Sequence, residues 1–270
     1  CLQKNFDEVA HERYARSTEA AHYLGVAERK SHNTATAFPT IDSDKRDIRR
    51  NFMAARKYFD EELDDLHSTL GRMCSITENM IKDAVASLKT LDRTLGASVA
   101  ETDREVDDLE IAIEKKCMRI LLKQQPVAKD LVKVTTALKV ITDVERIGDQ
   151  AADIGEIVRS YPDDKLFKEP EHITRMGDLA VAMIHQSVEA FLNESVGGAD
   201  MVIHADDEMD ALFNEVKAEL IEKIRGDALV ADQAVQLLMV AKYLEKIGDY
   251  AVNVGEWAKY LVTGVHKEYQ

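Results

Sequence analysis

A chain of 270 residues that is 45% apolar holds enough non-polar material for one or two buried cores, which excludes disorder over most of its length. Only 6% of its residues are aromatic, and Gly and Pro are few beside Ala, Leu, Glu, Lys and Asp, a balance that favours helices over sheets. A net charge of −15 excludes nucleic acid as the main partner, because phosphate backbones are held by clustered Lys and Arg, and it favours cations and basic protein faces.

Residues 1–52 carry nine Lys and Arg against eight Asp and Glu, so the acidity lies downstream and charge alone separates a head from a body. Within the head, 1–29 has a loose helical period through Phe6, Val9, Ala10, Ala20, Ala21 and Leu24, while 31–43 is polar, contains Pro39 and reads as a linker. We expect the head to be dispensable for folding of the body.

Six helical segments follow. The first, 55–91, sets Leu63, Leu66, Leu70, Met73, Met80, Val85 and Leu88 on one side, and Gly96 marks the break before the second, 97–124, with Val106, Leu109, Ile113 and Ile120. Pro126 stands near the start of a third, ending at about 161, where its fixed φ is tolerated and its missing N–H is not needed. Tyr161, Pro162 and Pro170 divide the body, and the plan then repeats as 171–193, 199–224 and 227–263, broken at Gly197 and Gly198 and at Gly226, with Asp227 as an N-cap. These spans predict an all-α tandem repeat: an N-terminal extension over 1–52, a three-helix bundle over 53–162 and a second over 165–264.

Duplication is written into particular residues. Glu145, Arg146, Ile147, Gly148 and Asp149 return as Glu245, Lys246, Ile247, Gly248 and Asp249, and each copy continues alike, through Asp153, Gly155 and Glu156 or through Asn253, Gly255 and Glu256. Upstream, Asp103 and Asp107 are matched by Asp206 and Asp210. Carboxylates four apart on a helix point the same way, so each copy presents a column of oxygen ligands beside an apolar stripe, here Ile141, Val144, Ile147, Ala151, Ile154 and Val158. Two such charges ~4 Å apart repel by about 4 kcal/mol at an effective dielectric near ~20, and a divalent cation on hard oxygen donors offsets that at neutral pH. The expected metal ligands are therefore Glu145, Asp149, Asp153, Asp103 and Asp107 in the first half, and Glu245, Asp249, Asn253, Asp206 and Asp210 in the second. Four Gly at matching helical positions, 148, 155, 248 and 255, each cost ~1 kcal/mol relative to Ala and imply close approach of a neighbouring backbone or ligand.

Cys1, Cys74 and Cys117 have unrelated spacings that support neither a disulfide framework nor a zinc site, so a reducing cytoplasm is expected. No apolar run reaches the ~20 residues of a membrane span and no apolar signal region stands at the start, so we expect a soluble chain that meets membranes only through protein partners. Glu-x-x-His, the di-iron oxidase spacing, occurs only at Glu8 with His11, Glu19 with His22 and Glu169 with His172, none inside a body helix. Nucleophile-elbow and Walker motifs are absent, and the expectation is a protein that is not an enzyme.

Over 53–263 these features resemble the PhoU family of phosphate-signalling regulators, whose hallmark is a tandem of three-helix bundles with an acidic Glu/Asp-x-x-x-Asp motif in each. Residues 59–67 are similar to the family's opening segment, 145–156 to its first motif and 245–257 to its second. The resemblance implies a homodimer that negatively regulates phosphate uptake and the starvation response, linking the ATPase of a phosphate ABC importer to a phosphate-sensing histidine kinase. It also implies iron, zinc or another divalent ion on Glu145, Asp149, Glu245 and Asp249, with Asp103, Asp107, Asp206 and Asp210 as companions; oxygen donors alone suit manganese or magnesium equally. Asn253 in place of the first copy's Asp153 makes the two sites unequal in charge. The family pattern starts near Met53, so 1–52 is either an extension or upstream sequence read from a misplaced start. From another class, the alternative is a carboxylate-bridged metalloenzyme acting on phosphate compounds.

Overall fold

The computed structural model describes residues 41–161, 165–167 and 170–265, with the side chains of 41–52, 54 and 55 left aside. Among these residues there are six α-helices and no strand: α1 (Ile41–Thr90), α2 (Arg93–Gln124), α3 (Lys129–Arg159), α4 (Glu171–Leu192), α5 (Val196–Gly226) and α6 (Ala231–Thr263), with a 3₁₀ turn, Ala228–Val230, before α6. The expected stripes are all buried, from Leu63 to Leu88 on α1, Val106 to Ile120 on α2 and Ile141 to Val158 on α3, and the second half repeats them in one continuous core. The fold is all-α, with two three-helix bundles. No helix of the described residues is long and apolar enough to cross a membrane. The expectations for 1–40 lie outside the described residues.

Several breaks fall elsewhere than the glycines suggested. The α1–α2 turn is made by Leu91, at φ 51°, and by Asp92, whose carboxylate accepts from the N–H groups of Thr94 and Leu95 at 3.0 Å each. Its duplicate uses Glu194, also at φ 51°, and Ser195, whose hydroxyl accepts from Gly198 N–H at 3.1 Å. Gly96, Gly197 and Gly198 thus lie in first turns of helices, because a side-chain cap satisfied the free N–H groups without help from a glycine conformation. Pro126 also misses its helix: Gln125 and Ala128 take positive φ around it, and α3 begins only at Lys129. Asp227 caps the 3₁₀ turn, accepting from Leu229 N–H at 2.9 Å, rather than α6 itself. α1 runs unbroken through Met53 back to Ile41, so the start expected near residue 55, and the linker expected up to residue 43, are overrun by helix.

Two helices of the first bundle, α1 and α3, meet their own duplicates in the second. Asp143 and Arg146 of α3 face Asn253 and Tyr250 of α6, while Asp153 faces Tyr243, so α3 and α6 run antiparallel. Likewise Val85 packs on Gly177, Glu78 meets His185 and His67 meets Phe191 between α1 and α4. This is the pairing of a two-fold operation acting on a duplicated sequence. It leaves α2 and α5 on the outside, each held to the third helix of its own bundle, and there the acidic motifs lie.

Candidate functional site

Asp103 and Asp107, one turn apart on α2, reach toward Asp149 on α3, and one carboxylate oxygen of each lies within 4.8 Å of the other two. Gly148 makes this possible. A Cβ at that position would stand 3.3 Å from Asp103 Oδ1 and 3.2 Å from Val106 Cγ1, so its absence lets α2 seat its acidic and apolar side chains flush on α3. A turn away, Glu145 stands on α3 and Glu110 on α2, the latter accepting from the Thr142 hydroxyl at 3.1 Å.

Asp103 Oδ1 is buried without a hydrogen-bond partner. Burial first, then the charges of Asp149, Asp107 and Asp153, push its pKa up to about 6. Burial and the neighbouring Asp149 and Glu110 push Glu145 up to about 7, and Asp149 is raised by the same two causes, burial and then Asp107. An all-oxygen group with an orphaned buried oxygen, bearing more negative charge than its surroundings compensate, fits a hard divalent cation.

The second bundle reproduces the seat but not the deficit. Asp206 Oδ1 is again buried and unpartnered, and a Cβ on Gly248 would stand 3.4 Å from it and 3.2 Å from Met209 Cγ. Burial, then Asp249, Asp210 and Glu245, raise Asp206 to about 6. Here, however, Lys242 Nζ lies 2.5 Å from Glu245, and Lys246 pairs with Asp249 while standing 3.7 Å from Glu245. The matching residues of the first bundle are Thr142 and Arg146, and Arg146 stands 3.6 Å from Asp143 and over the Tyr250 ring, so that its charge reaches Asp149 without an ion pair. Among the described residues, a three-carboxylate group of metal-holding spacing occurs only in the first bundle.

The PhoU domain model matches residues 70–158 and again 173–258, one copy on each bundle. The chain belongs to the PhoU family. It is 36% identical to a phosphate-specific transport system accessory protein PhoU homolog of Clostridium acetobutylicum, over 77% of this chain and 96% of that one. It is 30% identical to PhoU homolog 1 of Thermotoga maritima, over 78% of this chain and 92% of the relative. The crystal structure of PhoU from Pseudomonas aeruginosa superposes with a TM-score of 0.73 at 28% identity, covering 77% of this chain and all (100%) of that one.

Within this PhoU-family chain, Asp153 and Asn253 leave the columns expected of them. Asp153 accepts from the Tyr243 hydroxyl and Asn253 hydrogen-bonds Asp143, so both face the seam between α3 and α6. Residues four apart drift by about 40° around a helix at each step, so the third member of a column has rotated from the α2 side toward the neighbouring bundle. Asp153 still adds its charge to Asp103 and Asp149. Asp143 is the residue that sequence reasoning passed over. Buried beside Ile141 and Val144, it accepts from Trp257 Nε1 at 3.2 Å, and a carboxylate inside an apolar stripe was the signal available.

Proposed function

We propose that this PhoU-family protein regulates phosphate-specific transport by contact, and that a divalent metal ion on its first bundle firms the surface it uses. Membership in a family whose relatives are named as accessory proteins of phosphate-specific transport carries the first part of this reading. The partners that fit are the ATPase of a phosphate ABC importer and a phosphate-sensing histidine kinase, with the protein holding the starvation response off while phosphate is ample.

The unneutralised group at Asp103, Asp107 and Asp149 supports the second part. Those side chains would hold the ion, with Glu145 next to them; an iron, zinc, manganese or magnesium ion would supply the positive charge that lets all of them stay ionised at neutral pH. Because α2 and α3 each contribute ligands, the ion would tie the outer helix to the one that meets the second bundle. In the second bundle Lys242 and Lys246 supply that charge from the chain itself. Removing the gene should switch on phosphate-starvation genes, read with an alkaline phosphatase reporter, in phosphate-rich medium. A deletion strain whose reporter still follows phosphate normally would end the regulatory reading, and phosphatase activity of the metal-loaded protein would move the assignment to a metalloenzyme.

A further inference from the structure

On the side of α3 that faces α6, the seam opens into a cleft of about 590 Å³, within the range of small-molecule sites. α3 lines it with Lys139, Asp143 and Arg146, and α6 with Asn253, Glu256 and Trp257. The two-fold pairing shows why the space exists. Where the cleft has Asp143 and Lys139 of α3 with Asn253 of α6, the two-fold related positions hold Tyr243, Met239 and Asp153, and Tyr243 spans the seam with its phenol hydrogen-bonded to Asp153. Replacing that ring by the short side chain of Asp143 leaves room, and the room is polar.

The cleft's chemistry is arranged in advance of any ligand. Asp143 is buried and already engaged: its Oδ2 accepts from Trp257 Nε1 at 3.2 Å, its Oδ1 stands 3.6 Å from Arg146, and Asn253 hydrogen-bonds it as well. That carboxylate therefore acts as an organiser, fixing the plane of the indole and the direction of the guanidinium, which also lies 5.8 Å over the Tyr250 ring. Lys139 is exposed and closes no ion pair among the described residues. It stands two turns before Arg146 on the same face, roughly 10 Å along the axis. The nearly buried Glu256 lines the cleft and closes no hydrogen bond through its carboxylate among the described residues. The seam thus offers an aromatic wall, a carboxylate that closes no hydrogen bond although Lys259 lies within reach of its charge, and two cations spaced along one side, of which Arg146 is shared with Asp143.

We propose that this cleft binds a nucleoside phosphate, its base against Trp257 with an exocyclic amine toward Glu256 and its phosphates at Lys139 and Arg146. A flat ring gains from the indole face, an amine suits a carboxylate that lacks a donor, and phosphate suits paired cations. Either feature alone fits less: a bare anion leaves the indole and Glu256 unused, and a bare nucleoside leaves Lys139 unpaired. Because the cleft lies between α3 of one bundle and α6 of the other, an occupant would hold the two halves together.

Titration calorimetry of the whole chain with ADP, in EDTA so that the carboxylate groups take no metal, tests this directly. Trp257 is the single tryptophan of the chain, so its fluorescence reports the cleft without labelling. ADP should give saturable heat and a saturable change in emission, with adenosine, ribose 5-phosphate and inorganic phosphate each at least about tenfold weaker. Lys139→Ala should weaken ADP by about tenfold. No saturable binding of ADP at millimolar concentration by the folded protein would overturn the proposal. So would equal affinity for ribose 5-phosphate, which marks an anion site only, or an Lys139→Ala protein, folded by circular dichroism, that binds ADP as the parent does.

Discussion

The two bundles carry one motif in two electrical states. Both bury an unpartnered aspartate oxygen, Asp103 Oδ1 or Asp206 Oδ1, against a glycine of the facing helix. In the second, Lys242 and Lys246 lie on the carboxylates; in the first, Thr142 takes the place of one lysine and Arg146 swings to Asp143 in the seam. Duplication therefore preserved the seat and divided the charge: one copy is paired with its own lysines, and the other gathers its carboxylates without such a pair. Asp103, Asp107 and Asp149 have counterparts in Asp206, Asp210 and Asp249; what differs most is the positive charge one helical turn away.

The same inequality extends to helix packing, where it should have the largest effect. A Cβ on Gly155 would lie 2.5 Å from the Gly96 carbonyl oxygen, whereas one on Gly255 would meet Ala199 at an ordinary 3.5 Å. Urea melts should show Gly155→Ala losing about 1–3 kcal/mol through backbone overpacking, while Gly255→Ala gains up to about 1 kcal/mol from helix propensity. Equal effects of the two substitutions would erase the distinction.

Metal binding should come next. Elemental analysis and calorimetry should find a divalent ion whose affinity falls by at least about tenfold in Asp103→Asn/Asp149→Asn, and much less in Asp206→Asn/Asp249→Asn. Changing Lys242 and Lys246 together to Ala should let the second bundle take up an ion. Loss of metal from both Asn variants alike would show that the lysines do not decide occupancy.

Protonation offers a gentler comparison. Asp103 and Asp206 are raised to about 6 and Glu145 to about 7, so folding favours their protonated forms. That stabilisation is present in full below the ordinary carboxylate range near ~4 and is lost as pH rises through the folded values of about 6 to 7. In EDTA the melting temperature should therefore rise by a few degrees between about pH 8 and about pH 5.5, and a saturating divalent ion should remove or reverse the trend. A metal-free protein that loses stability over this interval would contradict the raised values.

The smallest contrast is expected at the motif glycines. An added Cβ at Gly148 meets the stiff, β-branched Val106 and Asp103, whereas at Gly248 the nearest atom belongs to the flexible Met209. Gly148→Ala should be the less stable of the two by less than about 1 kcal/mol, measured in the same melts. The reverse order would place the tighter contact in the second bundle.

Much of this was legible before any coordinates. The 3.6-residue period identified the buried stripes of the first three body helices, and the repeat singled out Asp103, Asp107 and Asp149 as facing acidic residues. Helix ends were less legible, since Leu91 and Glu194 turn the chain at positive φ without being glycine. Asp153 and Asn253 were read as members of the columns; their side chains also meet the α3–α6 seam, because a column of residues four apart drifts around its helix toward a different neighbour.

Sequence alone, then, determined the helices, the duplication and the kinds of atom gathered in each motif, since these follow from local period and from residue chemistry. Only the tertiary structure decided which charges meet. Lys246 turns onto Asp249, Arg146 turns from Asp149 to Asp143, and Tyr243 fills one side of a seam that Asp143 leaves open on the other. Such choices depend on the antiparallel docking of α3 on α6 and on the rotamers that this docking permits, and long side chains with several low-energy rotamers do not announce theirs in one dimension.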